Sequence, residues 1–347
     1  MLFKKRTTRK PVSVLTGFLG SGKTTVLQHL LAQADMSRTA LIINEFGDVS
    51  IDHLLVETKE ERMVLLANGC VCCSVRGDLV EAIHSLLARQ QTGEIPPFDR
   101  ILLETTGLAS PMPIAQSMLS PTMANVPVYM DSIATTVDAL HASANLAEHP
   151  ELLAQIAIAD TLLITKKDMV DDEQLRALET ELRGLNQHAP IRAIEHGRAE
   201  PSDLFGQSWL DPDATGKSLR RAQSILDRYQ GPEAHTGHSH SSGVTSFTLV
   251  KEEPLAFSTL RSFIGTLLEH QGSKILRVKG LVKVKGSEGR PVVVHGVQEV
   301  MHPPMSLKKW PSADQRTRLV FITKGLSRED VVNTLDAMER SGPWLLP

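Results

Sequence analysis

Apolar residues in the first half of the chain come as short unbroken runs, not as alternations. The runs predict strands at residues 12–16, 40–44, 63–67, 100–104, 129–137, 161–165 and 191–194. Between them, residues 24–33, 78–90, 150–159 and 173–186 repeat apolar positions at helical spacing. Continuous apolar strands separated by amphipathic helices predict an α/β fold with a mostly parallel sheet, covered on both faces. Residues 230–243 break the pattern. They read Gln-Gly-Pro-Glu-Ala-His-Thr-Gly-His-Ser-His-Ser-Ser-Gly, without apolar periodicity, as a flexible linker does. Beyond it, strands are expected at 244–250, 275–284, 291–295, 297–301 and 318–323, with helices at 255–270 and 328–338. That is a smaller α+β domain with a largely antiparallel sheet, and no catalytic motif falls in it.

Bulk properties narrow the classes. A chain of 347 residues with 41% hydrophobic and 22% charged residues is an ordinary globular protein of two domains. The boundaries expected are 1–230 and 244–347, joined by 231–243. A formal net charge of −3 supplies no basic field for nucleic acid. No run of about 18 apolar residues is present, so no membrane-spanning helix is expected. The basic N-terminal run leads directly into a glycine loop, unlike a signal peptide, and the expected location is the cytoplasm.

Gly17-Phe18-Leu19-Gly20-Ser21-Gly22-Lys23-Thr24 is a phosphate-binding loop, set between an expected strand and an expected helix as that motif requires. Its glycines let successive backbone N–H groups face phosphate oxygens, and the helix N-terminus adds a favourable dipole. Lys23 can reach the β- and γ-phosphates, and the Thr24 hydroxyl can ligate Mg²⁺. Two later strand ends carry the remaining chemistry. Glu104-Thr105-Thr106-Gly107 offers an acid for Mg²⁺ and a glycine N–H for the γ-phosphate. Thr165-Lys166-Lys167-Asp168 offers a carboxylate that can accept two hydrogen bonds from guanine; adenine has neither donor. The nucleotide expected is therefore GTP.

All three cysteines lie together, at Cys70, Cys72 and Cys73. An odd, clustered count is no disulfide framework. Thiolates are soft donors suited to Zn²⁺ or Cu(I), and a Cys-x-Cys-Cys turn can supply two or three of them and leave a position open. The alternative is a regulatory GTP-binding protein whose thiols sense redox state.

The phosphate loop, Asn44-Glu45-Phe46-Gly47, the Gly-Cys-x-Cys-Cys turn, Glu104-x-x-Gly107 and Thr165-Lys-x-Asp168, in this order, resemble the CobW family of P-loop GTPases. The resemblance extends over the whole chain, including Arg318-Leu-Val-Phe-Ile-Thr in the second domain. It implies that Gly20, Ser21, Gly22, Lys23, Thr24 and Thr25 cradle phosphate and that Glu104 and Gly107 sense the γ-phosphate. It also implies that Thr165, Lys166 and Asp168 read the base, and that Cys70, Cys72 and Cys73 hold a transition metal passed to a client metalloprotein. The segment 44–52 is expected to be the nucleotide switch, with Glu45 as a further metal donor. Position 48 is Asp where the family commonly has Glu, and Thr165 stands where Asn is more common. The family's long histidine tracts are reduced to His235, His238 and His240.

Overall fold

The structure is a computed structural model that describes residues 9–43, 64–67, 75–206 and 243–341. The switch segment with Glu45, the three cysteines, and the linker with His235, His238 and His240 lie outside the described residues.

The first half is built as β1 (Lys10–Gly17), α1 (Lys23–Leu31), β2 (Thr39–Ile43), β3 (Val64–Ala67), α2 (Val75–Gln91), β4 (Arg100–Glu104) and α3 (Met112–Leu119). It continues with β5 (Val128–Asp138), α4 (Ala142–Glu148), α5 (Pro150–Ala157), β6 (Thr161–Thr165), α6 (Asp172–Leu185), β7 (Ile191–Ala193) and α7 (Pro201–Leu204). The seven strands form one parallel sheet in the order β3-β2-β4-β1-β5-β6-β7. Alternate residues serve opposite faces, as the two-residue period of a strand demands. Val12, Val14, Ala40, Ile42, Ile101, Leu103, Leu162 and Ile164 pack on one side with Ile83, Ile114, Ile156 and Leu182 from the helices. Leu15, Leu41, Ile43, Leu102 and Leu163 pack on the other with Val26, Leu27 and Leu30 of α1 and Leu204 of α7. Both faces are dry, which is why the strands read as unbroken apolar runs.

The second half contains β8 (Val244–Lys251), α8 (Phe257–Gln271), β9 (Ile275–Val282), β10 (Val292–Val297), β11 (Val300–Met301), β12 (Met305–Ser306), β13 (Thr317–Lys324) and α9 (Arg328–Ser341). Its sheet runs β11-β10-β9-β13-β8, with β12 on β10, and every pairing is antiparallel. Phe247 and Phe321 stack across β8 and β13 at 5.5 Å and meet Phe263, Leu267, Val331 and Leu335 from the two helices. The opposite face carries Leu276, Leu281, Val293, Val297 and Ile322, which belong to the same apolar core as α5 and the parallel sheet. The second sheet is thus sandwiched between its own helices and the first domain.

One expected strand is corrected. Residues 297–301 are not a strand but a tight hairpin, with Val297 paired to Val300 and Gln298 at a left-handed φ of 51°. Turn glycine or asparagine normally marks such a bend; Gln-Glu hides it. The sequence reading also passed over α3 and α4, which begin without side-chain caps.

Candidate nucleotide site

Four parallel strands end at one level of the sheet. Glu104, the last residue of β4, is in register with Leu15 of β1 and Ile43 of β2, and Ile43 with Ala67 of β3. The loops leaving those strands therefore open onto one edge, where α/β sheets bind ligands.

The phosphate loop leaves β1 at Gly17, whose φ of 147° and contact with Thr136 exclude a side chain: a Cβ there would sit 2.1 Å from Thr136 Oγ1. Ser21 Oγ and Thr136 Oγ1 are hydrogen-bonded at 2.6 Å, and Thr165 Oγ1 donates to the Ser21 carbonyl at 2.8 Å. β5, which pairs with β1, and β6 beyond it thereby both hold the loop. Lys23 opens α1, and its ammonium donates to the carbonyls of Gly17 at 2.8 Å and Phe18 at 3.0 Å. Burial lowers the Lys23 pKa, and the negative charge of Glu104 works against that shift. Binding phosphate would exchange two neutral acceptors for charged ones, which strengthens each hydrogen bond. Thr24 and Thr25 are exposed on the first turn of α1, on the side of the helix N-terminus.

The loop after β4 lies directly on the phosphate loop. Thr105 N–H donates to the Leu15 carbonyl at 3.0 Å, and Thr105 Oγ1 to Thr16 Oγ1 at 2.7 Å. Gly107 approaches so closely that a Cβ would lie 2.7 Å from the Leu19 nitrogen. Thr106 Oγ1 is buried without a hydrogen-bond partner among the described residues. Glu104 is 7% exposed. Its carboxylate and the Thr24 hydroxyl are oxygen donors of the hard kind that could hold Mg²⁺.

The base-reading candidates follow β6. Thr165 faces inward, its hydroxyl occupied by the Ser21 and Val137 carbonyls. Lys166 has a left-handed φ of 56°, and its ammonium pairs with Asp138 at 2.7 Å. Asp168 is exposed at the rim. Lys167 pairs with Glu195 at 3.1 Å, tying this loop to the segment after β7.

Asp138, Thr136 and Gln155 are structural contributors that the sequence reading did not single out. Gln155 is fully buried and donates to the carbonyls of Gly107 and Ala109, both at 3.1 Å. Polar residues inside apolar segments are the available signal, and such a signal cannot name a partner.

Two family models match the chain: the CobW/HypB/UreG nucleotide-binding domain over residues 11–193, and the cobalamin synthesis protein cobW C-terminal domain over residues 244–339. The chain belongs to the CobW family of P-loop GTPases. The zinc chaperone YjiA of Escherichia coli (strain K12) is 30% identical over 320 residues, covering 92% of this chain and 96% of that protein. The zinc-regulated GTPase metalloprotein activator 1 of Schizosaccharomyces pombe is 33% identical, covering 92% and 83%. The Zn(II)-bound structure of the YjiA GTPase from E. coli shares the fold, with a TM-score of 0.66 at 24% identity over 95% of this chain and 99% of that one. As a CobW-family member the chain is a GTPase. No helix among the described residues is long and apolar enough to cross a membrane.

Proposed function

We propose that this GTPase is a metallochaperone, which loads a transition metal ion, zinc in the first place and cobalt in the second, at Cys70, Cys72 and Cys73 and releases it to a client metalloprotein. One observation carries the reading. The strands leading to the phosphate loop, to Glu104, to the switch segment 44–52 and to the thiol turn end side by side, in register at Leu15, Glu104, Ile43 and Ala67. The names of the relatives, zinc chaperone and zinc-regulated GTPase metalloprotein activator, support the same direction.

In this reading Gly20, Ser21, Gly22 and Lys23 hold the β- and γ-phosphates, and Gly107 meets the γ-phosphate through its N–H. Thr24 and Glu104 would hold Mg²⁺, which when bound offsets phosphate charge. Hydrolysis then needs no covalent intermediate, because positioning and charge neutralisation carry it. The metal cargo is softer, and thiolates suit it. Glu45, two residues beyond β2, is the proposed donor from the switch.

The test is anaerobic metal binding by the purified protein. One equivalent of Zn²⁺ should bind with proton release as thiolates form, and Co²⁺ should give a thiolate-to-metal charge-transfer band. A triple Cys→Ser variant that keeps the affinity and the spectrum would move the site elsewhere, with His235, His238 and His240 next in line. A reduced protein that binds no metal would favour a redox-sensing role for the thiols.

A further inference from the structure

Gln155 is a buried polar residue that the nucleotide reading does not use, yet it bonds directly to the loop that carries Gly107. It projects from the middle of α5, is 0% exposed, and bridges two carbonyls of the loop after β4, those of Gly107 and Ala109. Its own carbonyl accepts from Thr135 Oγ1 at 2.8 Å, which fastens α5 to β5. Its side-chain oxygen, Oε1, is buried with no hydrogen-bond partner among the described residues. An unmet buried acceptor is costly, and methionine or leucine would fill the same space without it. The amide thus acts here through its two donors, not its bulk.

What those donors control is the height of Gly107 over the phosphate loop. Gly107 is already in contact with Leu19, and a single Cβ would collide with the Leu19 backbone at 2.7–2.8 Å. Glu104 and Thr105 are fixed from the other side by β1. Between Thr105 and Pro111, Gln155 is the side chain from another element that pins the chain by hydrogen bonds at two points, before and after exposed Leu108. A loop held this way presents the Gly107 N–H at a set position before nucleotide arrives, which is preorganisation for charge developing on the γ-phosphate.

We infer that Gln155 is a positioning residue for GTP hydrolysis, acting through the Gly107 loop without touching nucleotide. The inference rests on Gly107 meeting the γ-phosphate, so Gly107→Ala is included as a control. Replacing Gln155 by Met keeps its volume and removes both donors. Affinity for GDP, which lacks the γ-phosphate, should stay within about twofold. The preference for a non-hydrolysable GTP analogue over GDP should fall roughly tenfold, with kcat falling similarly and KM changing less, because two hydrogen bonds of ordinary strength are lost. Gln155→Glu gives a second signature. Burial against two carbonyls raises the carboxyl pKa, and once protonated it can donate again. Its kcat, relative to wild type, should therefore rise as pH falls.

If Gly107→Ala collapses the analogue preference while Gln155→Met retains it and Gln155→Glu shows a wild-type pH profile, Gln155 only packs α5 and the proposal is wrong. If Gly107→Ala leaves the preference intact, the sensor reading falls first and the inference falls with it. Should the methionine variant not fold, the pH profile of the glutamate variant decides.

Discussion

Lys166 occupies a backbone conformation that lysine seldom adopts, and Asp138 is the reason it holds. The carboxylate accepts from Lys166 at 2.7 Å, from His141 at 3.0 Å and from the Leu140 N–H at 2.9 Å. Burial alone would raise the Asp138 pKa; these hydrogen bonds outweigh it and hold the group below its ordinary value. The neighbouring residue but one, Asp168, is left exposed on a short 3₁₀ turn where a base can approach. Two charge-assisted hydrogen bonds from guanine exceed the 1.4 kcal/mol or so that separates each decade of affinity. Wild-type protein should therefore bind GDP at least about tenfold more tightly than ADP. Asp168→Asn should lose most of that margin, since an amide offers one acceptor. Calorimetric titration of both nucleotides against both proteins decides it; equal wild-type affinities would remove Asp168 from the base-reading role. Thr165, standing where asparagine is more common, gives its hydroxyl to the Ser21 carbonyl beneath the phosphate loop.

At the scale of elements, α5 and the turn that follows it are tethered from both domains. Asn186 donates to the Ile156, Ala157 and Ala159 carbonyls, and Arg277 of β9 donates to the Ile158 carbonyl. Just beyond, Asp160 pairs with Arg277 at 2.7 Å and with Lys279 at 3.0 Å, all three side chains being no more than 13% exposed. Burial would push the Asp160 pKa up; the two adjacent cations reverse that and hold the carboxyl far below the carboxylate range. A depressed carboxyl contributes stability that is present above its unfolded pKa and is lost only as pH falls toward the folded one. Asp160→Asn removes the carboxylate that Arg277 and Lys279 share, leaving Asp131 as an acidic neighbour of Lys279 alone, and breaking such a buried pair typically costs about 3–5 kcal/mol. Thermal unfolding at neutral pH should show a fall on the order of 10 °C, shrinking in strong acid where the wild-type group also protonates. A variant with the wild-type midpoint would mean that the apolar contacts alone hold the domains together. Such a tether was not legible in the chain. The parallel strands were, because burial on both faces writes them as apolar runs. Asp160 lies more than a hundred residues from Arg277 and Lys279, and each alone reads as surface charge. Gln155, in an apolar helix, was equally silent, whereas the phosphate loop announced itself because backbone curvature demands glycine at fixed spacing.

Across the whole molecule, the second sheet, α5, the Gly107 loop and the phosphate loop form one packed and hydrogen-bonded series. Packed series of this kind transmit coupling when both ends have two states, and this one joins the nucleotide site to the second domain; the proposed metal site is reached instead along the strand ends of β4, β2 and β3. Glu104 and Ile43 share a register position, and the switch begins one residue after Ile43. If the γ-phosphate draws Glu45 away from or toward the thiols, metal affinity depends on the nucleotide. Linkage is reciprocal, so metal must then change GTP affinity by the same factor. Coupling of roughly 1–3 kcal/mol, about 5- to 150-fold, is the expected size for two linked sites. Zinc titrated into protein bearing GDP, and into protein bearing a non-hydrolysable GTP analogue, should give two different affinities. The reverse titration of each nucleotide, with and without zinc, should return the same ratio. Glu45→Gln should shrink the ratio in both directions while the cysteines still bind metal. Four indistinguishable affinities would describe a GTPase that carries zinc passively, and nucleotide-driven release would have to be abandoned.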